Sequence, residues 1–179
     1  MMKRALVIAI AASALAACET NGPSGPGPGP SGGPAYTPPS GGGGEAFREG
    51  DFGWSTAAGG GEIDGVLAYK GSTCQGTSVV LAPETPWSRA RMRVLYLSNT
   101  AAAMPVDQVQ QRTPPEHNQD YAKYARRTTC DASNKFSFTG LPSGAWYVIT
   151  VATPPGGGDR MAVMRRVETH GDTVKVTLR

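Results

Sequence analysis

The sequence predicts an all-β domain over residues 62–179, a seven-stranded antiparallel sandwich with one short helix and one long insertion loop. Three observations point there. From Glu62 onward, short runs of β-branched and aromatic residues alternate with Gly, Pro, Asn and Asp punctuation. Several of these runs place apolar and polar residues at a period of two, the mark of strands with one face in the core and one in water. The stretch ahead of them cannot pack: of the 24 residues 21–44, ten are Gly, seven Pro and three Ser.

In chain order, a basic start at Lys3 and Arg4 leads into an apolar run and a small-residue end at Leu15-Ala16-Ala17, the order of a signal peptide over residues 1–17. The 13 residues from Ala5 to Ala17 fall short of the roughly 20 that a membrane-spanning helix needs. Residues 18–61 then form a linker, with a disordered Gly/Pro/Ser tether spanning roughly 25 to 30 Å. Within it, Phe47, Phe52 and Trp54 are apolar enough to dock on the domain. The letters Gly27-Pro28-Gly29-Pro30-Ser31-Gly32 match a dinucleotide fingerprint, but no strand precedes them and proline removes amides a pyrophosphate would need.

Strands are expected at 62–69, 77–82, 124–130, 135–139, 145–152, 161–169 and 173–178. Asp131 to Asn134 supplies a tight turn, with Asn134 in the left-handed conformation, and sends Phe136 and Phe138 to one face. Thr85 reads as an N-cap and Pro86 as the first residue of a helix to about Leu95, with Trp87, Ala90, Val94 and Leu95 on one face. Residues 99–123 form the polar insertion, long enough to be functional or mobile. The strand around Tyr147 is apolar on both faces, so it belongs in the middle of a sheet covered twice.

Composition excludes some roles. A domain of about 120 residues buries enough surface to fold without a metal, and no cofactor motif appears. Lys3 and Arg4 leave with the signal, so 15 basic residues face 14 acidic ones, which argues against a nucleic-acid partner. His117 and His170 have no second ligand at metal spacing. Arg126, Arg127, Arg165 and Arg166 read as solvent-facing pairs. Cys74 and Cys130, 56 residues apart in an exported chain, invite a disulfide.

Two resemblances extend this reading. Leu15-Ala16-Ala17-Cys18 resembles the lipobox of bacterial lipoproteins, which implies lipidation at Cys18, a membrane anchor and, from Glu19, the outer membrane facing the periplasm as destination. The run from Asp131 to Val148, with Phe136-Ser137-Phe138, Leu141-Pro142-Ser143-Gly144 and Trp146, is similar to the carboxypeptidase regulatory-like, or transthyretin-like, family. That resemblance implies an Ig-like or transthyretin-like sandwich with an accessory, non-catalytic role. A glycan, peptidoglycan or another envelope protein is then the expected partner, and Tyr147, Trp87 and Trp54 are the candidate aromatic platform. Two alternatives stand beside it: a periplasmic hydrolase working through Glu116, His117 and Asp120, and a purely structural spacer.

Overall fold

The computed structural model describes residues 45–114 and 119–179. Among the described residues eight strands form two sheets: β1 (Gly61–Leu67), β2 (Ser78–Pro83), β3 (Ala101–Pro105), β4 (Arg126–Thr129), β5 (Lys135–Leu141), β6 (Gly144–Ala152), β7 (Met161–Thr169) and β8 (Thr173–Leu178). One sheet has the order β5-β1-β8 and the other β3-β7-β6-β2-β4. The all-β sandwich is therefore as the pattern predicts, with eight strands in place of seven. The added strand, β3, lies in the insertion and pairs with β7 from Ala101↔Arg165 to Pro105↔Met161. Its Ala-Ala-Ala-Met sequence has little intrinsic strand preference, so pairing and packing create it. A short helix α2 (Val106–Gln111) and a 3₁₀ helix at Gln119–Tyr124 occupy more of the insertion.

The pairing is not wholly antiparallel. β1 runs parallel to β8, from Glu62↔Thr173 to Leu67↔Leu178. The tight β7–β8 connection crosses from one sheet to the other and lays the last strand beside the first. Strands so distant in sequence need no tight connection, so either direction is open to them.

Between the sheets, Ile63, Leu81, Phe138, Leu141, Trp146, Val148, Val163 and Leu178 close the main core. A second layer lies on the outer face of the five-stranded sheet, where Tyr147, Met164 and Ala82 meet Met92, Leu95 and Tyr96 of helix α1 (Pro86–Tyr96). This accounts for β6: it is central, with Trp146 and Val148 in one layer and Tyr147 in the other. Helix α1 begins as its sequence predicts. The Thr85 hydroxyl accepts from the Ser88 amide at 3.1 Å, and the Ser88 hydroxyl accepts from the Thr85 amide at 2.7 Å, satisfying two amides that would otherwise lack partners.

The folded part also starts earlier than Glu62. A 3₁₀ helix at Glu49–Thr56 buries Phe52 and Ser55 and lays Trp54 edge-on against Trp146, ring centroids 4.9 Å apart. Trp54 explains Gly144. A Cβ there would stand 2.2 Å from the Trp54 ring, so only glycine lets the indole lie on the backbone. Gly65 serves Phe136 in the same way, because a Cβ would meet that ring at 2.0 Å.

Both seams of the sandwich are closed by arginines. Arg126 on β4 donates to the carbonyls of Thr139 and Gly140 on β5 at 3.4 and 3.3 Å, and to that of Ser55 at 3.1 Å. Arg165 on β7 donates to the Thr177 carbonyl on β8 at 3.2 Å. These residues are engaged, where the sequence suggested solvent-facing charge. The outer edge of β3 is blunted too. Arg166 donates its amide to the Thr100 carbonyl, so by alternation Ala101, Ala103 and Pro105 turn their backbone away from β7. The Ser98 hydroxyl accepts from the Ala101 amide at 3.3 Å, and Pro105 has no amide to offer.

Candidate functional site

The aromatic platform does not form. Tyr147 has no exposed surface and Trp87 is 8% exposed. Trp87 packs against Phe47, Phe52 and Tyr121, with the Arg91 guanidinium over its ring at 5.4 Å, while Trp54 is committed to Trp146 and Gly144. The three rings serve three different packing jobs, because residue periodicity reports which side chains are apolar and not which surfaces another segment will cover.

Tyr147 instead belongs to a buried polar cluster under α1. The Glu84 carboxylate, its side chain 4% exposed, accepts from Arg89 Nε at 2.7 Å, from Arg166 Nε at 2.6 Å and from the Tyr147 hydroxyl at 3.3 Å. Burial by itself would raise the pKa of Glu84, but the hydrogen bonds from Arg89 and Arg166 outweigh it and hold the carboxyl below its ordinary value. Burial, with the Glu84 charge beside it, pushes the Tyr147 phenol up to about 12. Every oxygen in the cluster is engaged, so the arrangement fixes α1 on the sheet and offers no group for chemistry.

Cys74 and Cys130 form a disulfide with their Cα atoms 5.7 Å apart, joining the β1–β2 loop to the end of β4. Both are buried. The turn that follows supports the link: Asn134, at φ 61°, accepts through Oδ1 from the Cys74 amide at 3.0 Å and from the Thr73 hydroxyl at 2.8 Å. Asp131 is spent on the same turn, its carboxylate accepting from the amides of Ser133 and Lys135 at 2.8 and 2.7 Å.

Beside this stapled corner lies an open groove of about 680 Å³ on the outward face of the three-stranded sheet. Strand register builds it. Asp64 of β1 pairs with Ser137 on one side and Lys175 on the other, and Val66 pairs with Lys135 and Thr177. Thr128 and Thr129 of β4 extend the wall. Among the described residues, the side chains of Asp64, Lys135, Ser137, Lys175 and Thr177 have no hydrogen-bond or ion-pair partner. The groove therefore presents a carboxylate, two ammonium groups and hydroxyls that are free to engage a ligand rich in hydroxyls. Sequence reading did not find it. Its parts come from three distant stretches, and the only signal was the polar phase of each strand.

No family model matches the chain, and no curated protein matches it. Among solved structures it is similar to a crystal structure from Pseudomonas aeruginosa, that of a candidate carbohydrate-binding protein, with 21% identity and a TM-score of 0.54 over 75% of this chain and 97% of that one. The likeness is one of fold. It supports no residue-by-residue transfer.

Cys18, Glu116 and His117 lie outside the described residues, as does the side chain of Asp120. Among the described residues no three His, Cys, Asp or Glu side chains gather in a way that could hold a metal, and no helix is long and apolar enough to cross a membrane.

Proposed function

We propose that this chain is a cell-envelope lipoprotein, anchored through a lipidated Cys18 and facing the periplasm from the outer membrane, whose β-sandwich is a non-catalytic carbohydrate-binding module. The observation that carries the binding role is the groove over β5, β1 and β8, where polar side chains without internal partners stand on a disulfide-stapled sheet. Rigid strands hold such groups in place at little ordering cost when a ligand arrives. The similar Pseudomonas aeruginosa fold, described as a candidate carbohydrate-binding protein, supports the same reading, and so does the accessory role implied by the carboxypeptidase regulatory-like resemblance.

The binding role is tested by co-sedimentation of the full chain with purified peptidoglycan and with insoluble envelope polysaccharide. Retention that soluble oligosaccharide competes away, and that Asp64→Ala with Ser137→Ala weakens, is the expected result. A correctly folded protein that none of these polymers retains would refute it. For the anchor, mass spectrometry should find acyl chains on Cys18, and Cys18→Ala should release the protein from membranes; a cleaved, unacylated Cys18 would end that part of the reading.

A further inference from the structure

We infer that the groove selects saccharides bearing carboxylates, uronate-type units above all, through Lys135 and Lys175 on either side of Asp64. The inference rests on the carbohydrate reading above and names the ligand class for the same site.

The groove's free charge is unbalanced. Asp131 lines it, but two backbone amides already hold that carboxylate. Two unpaired ammonium groups then face one unpaired carboxylate, Asp64. Strand geometry sets their separation. Lys135 stands level with Thr177, two residues along β8 from Lys175 and two strands across. With strands about 4.8 Å apart and a rise of about 3.3 Å per residue, the two lysine Cα atoms are about 12 Å apart. A chain of sugars lying across the sheet would meet one ammonium, then the carboxylate, then the second ammonium.

The groove also lacks the usual alternative source of affinity. Sugar rings commonly gain from stacking an apolar face on an aromatic side chain. The one aromatic residue along this groove, Phe136, is 5% exposed and lies over Gly65 inside the sheet. With no ring to stack on, charge and hydrogen bonds must supply the selection. Asp64 then has a definite part: it accepts from sugar hydroxyls, and it repels a ligand whose every unit is a bare anion, such as polyphosphate. A carboxylate-bearing saccharide satisfies both lysines and the aspartate together.

Binding of tetragalacturonate to the full chain, measured calorimetrically beside its carboxyl-reduced neutral counterpart and inorganic polyphosphate, tests this. The acidic tetramer should bind at least tenfold more tightly than the neutral one and should weaken as salt shortens the screening length. Lys135→Ala and Lys175→Ala should each cost about fivefold toward the acidic tetramer, the upper end for an exposed ion pair, and measurably less toward the neutral one, which loses only a hydrogen bond. Asp64→Asn should raise affinity for polyphosphate. All three side chains are exposed, so unchanged thermal midpoints will show that the variants fold. Equal affinity for the acidic and neutral tetramers, or lysine variants that bind the acid as the parent does, would overturn the inference and leave the carbohydrate reading standing. Failure of both tetramers to bind would likewise overturn the inference, and the co-sedimentation above decides the carbohydrate reading separately.

Discussion

Removing the Glu84 carboxylate should destabilise the domain by about 3 kcal/mol, and the geometry says where that figure comes from. Truncating one member of a buried ion pair costs roughly 3 to 5 kcal/mol when the partner charge is stranded. Here the partners are not fully stranded, because the Arg89 and Arg166 side chains are 47% and 31% exposed and can turn to water. The Tyr147 hydroxyl cannot, and an unsatisfied buried hydroxyl costs about 1 to 3 kcal/mol. Adding the loss of two charge-assisted bonds, discounted for rehydration, places Glu84→Ala near the lower end of the pair-breaking range. Glu84→Ala combined with Tyr147→Phe should recover about 1 kcal/mol of it, since the stranded hydroxyl is then gone. Urea unfolding followed by tryptophan fluorescence, with the disulfide intact, measures all four corners of this cycle. The pH dependence has a fixed sign. Because the folded pKa of Glu84 is depressed, its contribution is fully present above the unfolded carboxylate pKa and is lost as pH falls through the folded one. The gap between the parent and Glu84→Gln should hold at neutral pH and close only in acid. A Glu84→Ala variant within 0.5 kcal/mol of the parent, roughly the scatter of a surface substitution, would refute the reasoning.

Three other outcomes follow from the packing. Reducing Cys74–Cys130 should lower stability by about 4 kcal/mol in the loop-entropy model for a 56-residue separation, and two freely alkylated thiols in oxidised native protein would contradict the bond. Gly65→Ala should cost about 1 to 3 kcal/mol by driving a methyl into the Phe136 ring, with partial recovery when Phe136 becomes Leu; unfolding midpoints of the single and double variants check it. Trp54→Ala should cost about 2 kcal/mol, below the range for a fully buried tryptophan because the ring is partly exposed, whereas a residue in a mere linker would cost nothing measurable by the same unfolding assay.

Much of the fold could be read from residue order, and the reasons are local. Phe136 and Phe138 alternate with polar neighbours around a turn whose Asn134 needs a left-handed backbone, and Thr85-Pro86 carries its own start signal for α1. What escaped depends on partners distant in the chain. Ala101 to Met104 lacks β-branched residues and becomes a strand only because β7 pairs with it. Phe52 and Trp54 are legible as apolar enough to dock, but not where, because the surfaces they cover, at Trp87 and Gly144, lie some 30 to 90 residues further on. The groove was hidden for the same reason. Asp64, Lys135 and Lys175 each read as an ordinary wet position, and only the adjacency of β5, β1 and β8 turns them into neighbours.

The guarded edges of the sandwich have a consequence for how the molecule meets copies of itself. Sheets with open borders tend to zipper with their neighbours when held at high local density. Here guanidinium groups occupy carbonyls of the edge strands β5 and β8, and a serine hydroxyl and a proline leave the outer edge of β3 with little to donate. Along those three edges a neighbouring copy would find few free backbone groups to pair with.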